Sequence, residues 1–245
     1  MKAYKSKDDL LIGKTILITG AGDGIGKSLA IESAKLGATV ILLGKTLSKL
    51  ESVYDSIEAL NKAQASILPL DLQGATEQHY IDLADTIKRE YGHLDALVHN
   101  ASQLGILGPF EQIPQDMWDN VMQVNVNAPF LLTKSLLPLL QQAPHASIIF
   151  TTSGVGNKGR AYWGAYCVSK FATEGMMQLL ADEYENSTLR FNAINPGATR
   201  TAMRASAYPA EDKDALKTAF EILPSYLYLL GDDSIHVQGQ RINAQ

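Results

Sequence analysis

The sequence predicts a doubly wound α/β fold: a mostly parallel sheet of about seven strands with helices on both faces, built as one domain. Short β-branched or apolar runs alternate with longer helical patterns over most of the chain. A glycine-rich stretch, "TGAGDGIGKSLAIESAKLG" from Thr19 to Gly37, joins the first apolar run to the first helical pattern. The chain has 245 residues, 46% apolar and 19% charged, enough for the core of one large sheet.

The elements follow in order. "KTILITG" is the first strand, and the helix from Ile25 places apolar or small residues at Ile25, Leu29, Ala30 and Ala34 before closing on Gly37. "TVILLG" leads into the helix of "LSKLESVYDSIEALNK", and "ASILPLD" into that of "YIDLADTIKREYG". "LDALVHNA", a long helical stretch around Met117 to Leu140, "ASIIFTTS", a helix after Tyr162 and "LRFNAINPG" continue the rhythm. After Pro196 it breaks, and "GATRTAMRASAYPAEDKDALKTAF" reads as a loop with one or two short helices. "SYLYLLGDDS" supplies a last helix and "GQRINAQ" a last short strand. No internal repeat or linker divides the chain.

Composition excludes several classes of partner. Twenty-one basic against 26 acidic residues give a formal charge of −5, with no basic block to track a phosphate backbone, so no nucleic-acid partner is expected. The one cysteine, Cys167, allows neither an internal disulfide nor a metal cluster and fits a reducing compartment. "MKAYKSKDDLLIGK" has no signal-like apolar run, and Lys134 and Pro138 interrupt the most apolar stretch, "PFLLTKSLLPLLQQ". No membrane partner is expected, and the expected location is cytoplasmic.

The glycines sit in a strand-to-helix turn, where missing Cβ atoms let the backbone approach a pyrophosphate and the helix N-terminus offers free N–H groups. This is a dinucleotide-binding, Rossmann-type reading. The alternative is a tight turn with no ligand. The spacing is Gly20, Gly24 and Gly26, rather than Gly-x-Gly-x-x-Gly. At the end of the second strand, Gly44 and Lys45 stand where a carboxylate would hold the ribose 2′-OH of NAD. A small residue followed by a cation leaves room and charge for a 2′-phosphate, so NADP(H) is expected in preference to NAD(H). Lys45 as an ordinary solvated lysine is the competing reading.

Tyr166 and Lys170 in "YCVSK" are four residues apart, which on a helix puts both on one face. A neighbouring ammonium stabilises a phenolate, making Tyr166 the candidate acid/base and Lys170 its tuner. Ser153, at the C-terminal end of "ASIIFTT", faces the crevice where such sheets bind ligands and can hydrogen-bond a substrate oxygen. Thr151 and Thr152 compete for that role.

With "TGAGDGIG", "HNAS", "VNVNA", Ser153, "YCVSK" and "NPGATRT" in this order, the chain resembles the short-chain dehydrogenase/reductases along nearly its whole length, and within them the bacterial YciK-type branch. The resemblance implies that Gly20, Asp23, Gly24, Ile25 and Gly26 cradle the cofactor, although NADP-preferring members often carry a base where this chain has Asp23. It implies further that Asp71, followed by Leu72, binds the adenine, with a helix N-terminal aspartate as the rival reading. Asn100 and Ala101 match the family's cofactor motif, whereas His99 and Ser102 depart from it. His99 is read as a packed or hydrogen-bonded histidine. By the same resemblance Asn125 holds a water relaying protons to the lysine, with Asn127 as the other candidate. Pro196 and Gly197 turn the chain, Thr199 meets the nicotinamide carboxamide and Thr201 the phosphates.

The implied reaction is hydride transfer between a nicotinamide and a small-molecule carbonyl or alcohol, such as a 3-oxoacyl compound or another ketone. Two alternatives are weighed: a regulator that binds NADP(H) without turnover, and a nucleotide-sugar epimerase or dehydratase. Gln103, Leu104, Tyr162, Trp163 and the segment from Ala202 to Phe220 are candidate pocket residues. Residues from about 195 to 225 are expected to form a lid over the substrate. The family habit implies a homodimer or homotetramer through "NAPFLLTKSLLPLLQQ" and "FATEGMMQLLADEY".

Overall fold

In the computed structural model, which describes residues 4–60 and 64–245, strands and helices alternate from the start. The strands are β1 (Thr15–Thr19), β2 (Thr39–Gly44), β3 (Gln64–Pro69), β4 (Ala96–His99), β5 (Ala146–Thr151), β6 (Leu189–Asn195) and β7 (Arg241–Asn243). The helices are α1 (Gly24–Lys35), α2 (Leu47–Glu58), α3 (Glu77–Tyr91), α4 (Gln115–Met122), α5 (Ala128–Leu140), α6 (Gly164–Glu183), α7 (Ala202–Ala207) and α8 (Leu223–Leu230).

The strands form one parallel sheet in the order β3-β2-β1-β4-β5-β6-β7. Strand alternation explains the two cores. Ile16 and Ile18 of β1 with Val40 and Leu42 of β2 pack on one face with α1, α2 and α8. Leu17, Ile41 and Leu43 point the other way, into the apolar faces of α3, α5 and α6. Both faces are therefore covered, and β1, β2 and β4 read as near-continuous apolar runs.

The chain winds outward from β1 in both directions, so β2 and β4 flank it. Such a sheet opens a crevice at the C-terminal ends of its central strands. Thr19 ties those ends together: its hydroxyl donates to the Val98 carbonyl and accepts from the Asn100 and Ala101 N–H groups at 2.9 and 3.0 Å.

Some element boundaries differ from expectation. The long helical stretch is divided into α4 and α5 by one wide π-type turn, Gln123–Asn127. There Asn125 is drawn inward, and its side chain binds the Gln103 backbone and the Ser169 hydroxyl. α2 ends at Glu58, and the expected continuation through Asn61 and Lys62 lies outside the described residues, as do Met1 to Ala3. Beyond β6, α7 and short helical turns are joined by an isolated parallel bridge between Thr199 and Lys217. Among the described residues no helix is long and apolar enough to cross a membrane.

Candidate active site

One continuous cleft of about 740 Å³ runs along the C-terminal ends of the central strands, within the usual size of small-molecule sites. Gly20, Asp23, Gly24 and Ile25 line it from the first turn, and Lys45 from the end of β2. Asp71 and Leu72 line it after β3, and Asn100 and Ala101 after β4.

Gly26 is placed differently from the expectation that it touches a cofactor. It lies behind the cleft, where a Cβ would fall 2.3 Å from the Gly20 carbonyl oxygen and 2.6 Å from Asn100 Nδ2. Its bareness lets α1 pack against the strand ends. Asp71 does not cap a helix: α3 begins at Glu77 behind Thr76, and the Asp71 carboxylate instead accepts from the Gln73 N–H at 3.1 Å.

Asp23 caps α1, accepting from the Gly24 N–H at 2.7 Å, and its other oxygen takes the Lys49 ammonium at 2.5 Å. The hydrogen bond from Lys49 holds this carboxyl below its usual range. Lys49 thus neutralises the one acid in the turn, and Lys45 forms no ion pair among the described residues, with Asp71 as the further acid lining this end. Sequence reasoning missed Lys49, which lies in the first turn of α2, four residues after Lys45. The site also has polar positions left open: Ser102 Oγ and Gln103 Oε1 are buried without a hydrogen-bond partner and line the cleft. A glycine cradle at a helix N-terminus, a cation after β2 and free polar atoms beside β4 fit a dinucleotide.

At the middle of the cleft, α6 presents Tyr166, Lys170 and Glu174 at four-residue spacing. The Ser153 hydroxyl accepts from the Val155 N–H at 3.4 Å and lies near enough to the Tyr166 phenol to draw its pKa downward. The Lys170 ammonium lies 5.4 Å from the Tyr166 ring centroid and donates to the Thr151 carbonyl at 2.8 Å. The rival hydroxyls are engaged elsewhere, Thr151 with the Tyr226 phenol at 3.1 Å and Thr152 with Glu174 at 2.7 Å.

Burial governs the protonation of this pair. It pushes the Tyr166 phenol up to about 12, with the nearby Ser153 hydroxyl pulling back only part of the way. The expected lowering by the Lys170 ammonium is not among the causes of this shift, which burial dominates. Burial also brings Lys170 down to about 8, opposed by the Glu174 carboxylate.

Glu174 and Arg241 form a buried support that sequence reasoning missed. Arg241 Nε donates to the Glu174 carboxylate at 2.8 Å, and its Nη2 to the Ser153 carbonyl at 3.1 Å. Gly156, in the turn after Ser153, rests on the same group; a Cβ there would lie 2.5 Å from Thr152 Oγ1 and 2.7 Å from Glu174 Oε1.

Asn125 is buried and does not line the cleft. Both of its amide hydrogens are used, on the Gln103 carbonyl and the Ser169 hydroxyl, so its side chain braces the loop after β4 against α6. Asn127 faces outward and bonds Gln123. His99 is buried, stacked 4.8 Å from Phe150 and paired with the Thr133 hydroxyl, and burial takes it down to about 3. It is a neutral core imidazole.

Pro196, Gly197, Thr199 and Thr201 complete the lining after β6. Gln245 holds that turn in place, donating to the Pro196 and Ala198 carbonyls at 2.7 and 3.0 Å. Of the expected pocket residues, Gln103, Leu104, Trp163, Met203 and Tyr208 line the cleft. Tyr162 does not; its φ of 72° turns the backbone left-handed ahead of α6 and leaves the side chain in solvent.

Comparison with known proteins agrees with this geometry. The family model described as short chain dehydrogenase matches residues 14–212. The oxidoreductase YciK of Escherichia coli is 51% identical over 242 residues, covering 99% of this chain and 96% of that protein. A short chain dehydrogenase from Shigella flexneri, solved in complex with NADP, is 51% identical with a TM-score of 0.96, covering 98% of this chain and 100% of that one. Another from Escherichia coli, in complex with NADPH, is also 51% identical, with a TM-score of 0.95 and the same coverage. A family match over most of the chain, joined to a Tyr166–Lys170 pair in a cleft at the C-terminal ends of the parallel strands, places the chain in the short-chain dehydrogenase/reductase family.

Proposed function

We propose that the protein is an NADPH-dependent carbonyl reductase with Tyr166 as its acid. The observation that carries this reading is the Tyr166 phenol in the middle of the cleft, with the Lys170 ammonium 5.4 Å from its ring centroid and Ser153 lining the same cleft. The nicotinamide cofactor, when bound, supplies the hydride. Gly20, Gly24 and Asn100 would hold it on one side, and Pro196, Gly197, Thr199 and Thr201 on the other. Lys45, supported by Lys49, would receive the 2′-phosphate, which favours NADP(H) over NAD(H).

The Ser153 hydroxyl orients the substrate oxygen and donates to it as negative charge grows. Tyr166 then releases its phenolic proton to that oxygen. With its phenol pushed up to about 12, Tyr166 is protonated at neutral pH, the form that reduction requires. Lys170 stays cationic below about 8 and stabilises the phenolate left behind. Asn125 positions α6 through Ser169. A complete Ser153, Tyr166 and Lys170 set favours turnover over a regulator that only binds the cofactor.

Residues 195–225 act as the lid over the substrate, and the protein pairs with copies of itself through α5 and α6. The exposed Phe130, Val168, Phe171 and Leu179 on those helices support the pairing. Tyr166→Phe tests the chemistry: NADPH binding stays within about twofold while turnover of a ketone or aldehyde panel falls about 100-fold or more. A Phe variant with wild-type turnover would refute the role.

A further inference from the structure

The substrate end of the cleft has a charge pattern that the reductase chemistry does not require. From Tyr166 an aromatic wall leads outward: its ring lies 5.7 Å from Trp163, and Trp163 lies 6.0 Å from Tyr208. Leu104, Val155 and Met203 pack about Tyr166 and Trp163. At the end of this wall Arg160 reaches the Tyr208 hydroxyl at 3.5 Å, and Lys158, two residues earlier, lines the same cleft.

Neither cation forms an ion pair with a carboxylate among the described residues. Arg204, stacked 3.8 Å over the Tyr208 ring, differs: Glu211 takes it in two hydrogen bonds of 2.6 Å each and cancels its charge. The acids that line the cleft, Asp23 and Asp71, belong to its other end, after β1 and β3. The substrate end therefore carries two uncompensated positive charges beyond an apolar and aromatic wall.

We propose that this end selects an acidic carbonyl compound: its carbonyl meets Tyr166 and Ser153, its apolar or aromatic body lies along Trp163 and Tyr208, and its distal carboxylate is held by Arg160 and Lys158. A guanidinium suits a carboxylate through paired donors, and an ammonium adds charge without fixing direction. The inference rests on the reductase reading above and deepens it to a substrate class.

The test uses the NADPH-loaded protein with terephthalaldehydic acid against its methyl ester, two aldehydes of nearly the same shape that differ in charge. The acid is expected to show a kcat/KM about tenfold or more above the ester, carried by KM. In a Lys158→Glu, Arg160→Glu variant that preference disappears, while NADPH affinity stays within about twofold. Equal use of acid and ester, or a preference that survives the charge reversal, overturns the proposal. If neither aldehyde turns over, calorimetric titration of both into the NADP⁺-loaded protein decides by the same criterion. A failure to bind NADPH at all would instead remove the reductase reading itself, and the proposal with it.

Discussion

At the scale of single residues, the reactive centre is a contest between burial and one carboxylate. Lys170 faces Tyr166 and Glu174 from its own helix and the Thr151 carbonyl from β5, with Arg241 of β7 reaching Glu174 from behind. Burial lowers its pKa to about 8, and Glu174 works against that. The required form is the ammonium, so kcat/KM should hold below about 8 and fall as pH rises through it. Glu174→Gln keeps an oxygen for Thr152 and Arg241 but removes the negative charge, so the fall moves to lower pH. A pH profile of kcat/KM for both proteins checks this, and coincident alkaline limbs would deny Glu174 its electrostatic part. Tyr166 and Lys170 were legible in the sequence because one helical spacing relates them. Arg241 was not, because only the sheet brings it to Ser153 from 88 residues away.

At the scale of elements, periodicity located the strands and most helices, since apolar runs and 3.6-residue patterns decide those locally. It missed the wide turn between α4 and α5, although Pro129, two residues past it, has no N–H to give the Asn125 carbonyl, and the buried Asn125 side chain is bonded to a distant loop. The segment after β6 was legible only as irregular. Its order comes from side-chain pairs, Arg204 with Glu211 and Arg200 with Asp214, whose partners lie 7 and 14 residues apart. The Arg200–Asp214 pair is solvent-exposed and contributes little stability, whereas the two-bond Arg204–Glu211 pair is the firmer tie. If residues 195–225 act as the proposed lid, hydrogen exchange in residues 198–222 slows when NADPH is added. Unchanged exchange there would contradict a lid.

At the scale of the whole molecule, the sheet order puts one cleft at the switch point, with Lys45 and Lys49 after β2, the Tyr166 phenol at the centre and Lys158 and Arg160 beyond Trp163. The outer faces of α5 and α6 leave large apolar side chains in solvent, with Phe130 52% and Leu179 63% exposed. Light scattering should accordingly return two or four times the 26.6 kDa of one chain, and a monomer at micromolar concentration would count against the pairing. The glycine turn and Lys45 were visible before the fold, but the Asp23–Lys49 pair that clears the turn of its acid was not. The central claim is that this cleft is built for NADPH, and titration with NADPH and with NADH, followed by nicotinamide fluorescence, tests it most directly. Tight NADPH binding with NADH weaker by about tenfold or more, and a gap that closes in Lys45→Glu, is the predicted result. Equal affinities for the two cofactors, or binding of neither, would contradict it.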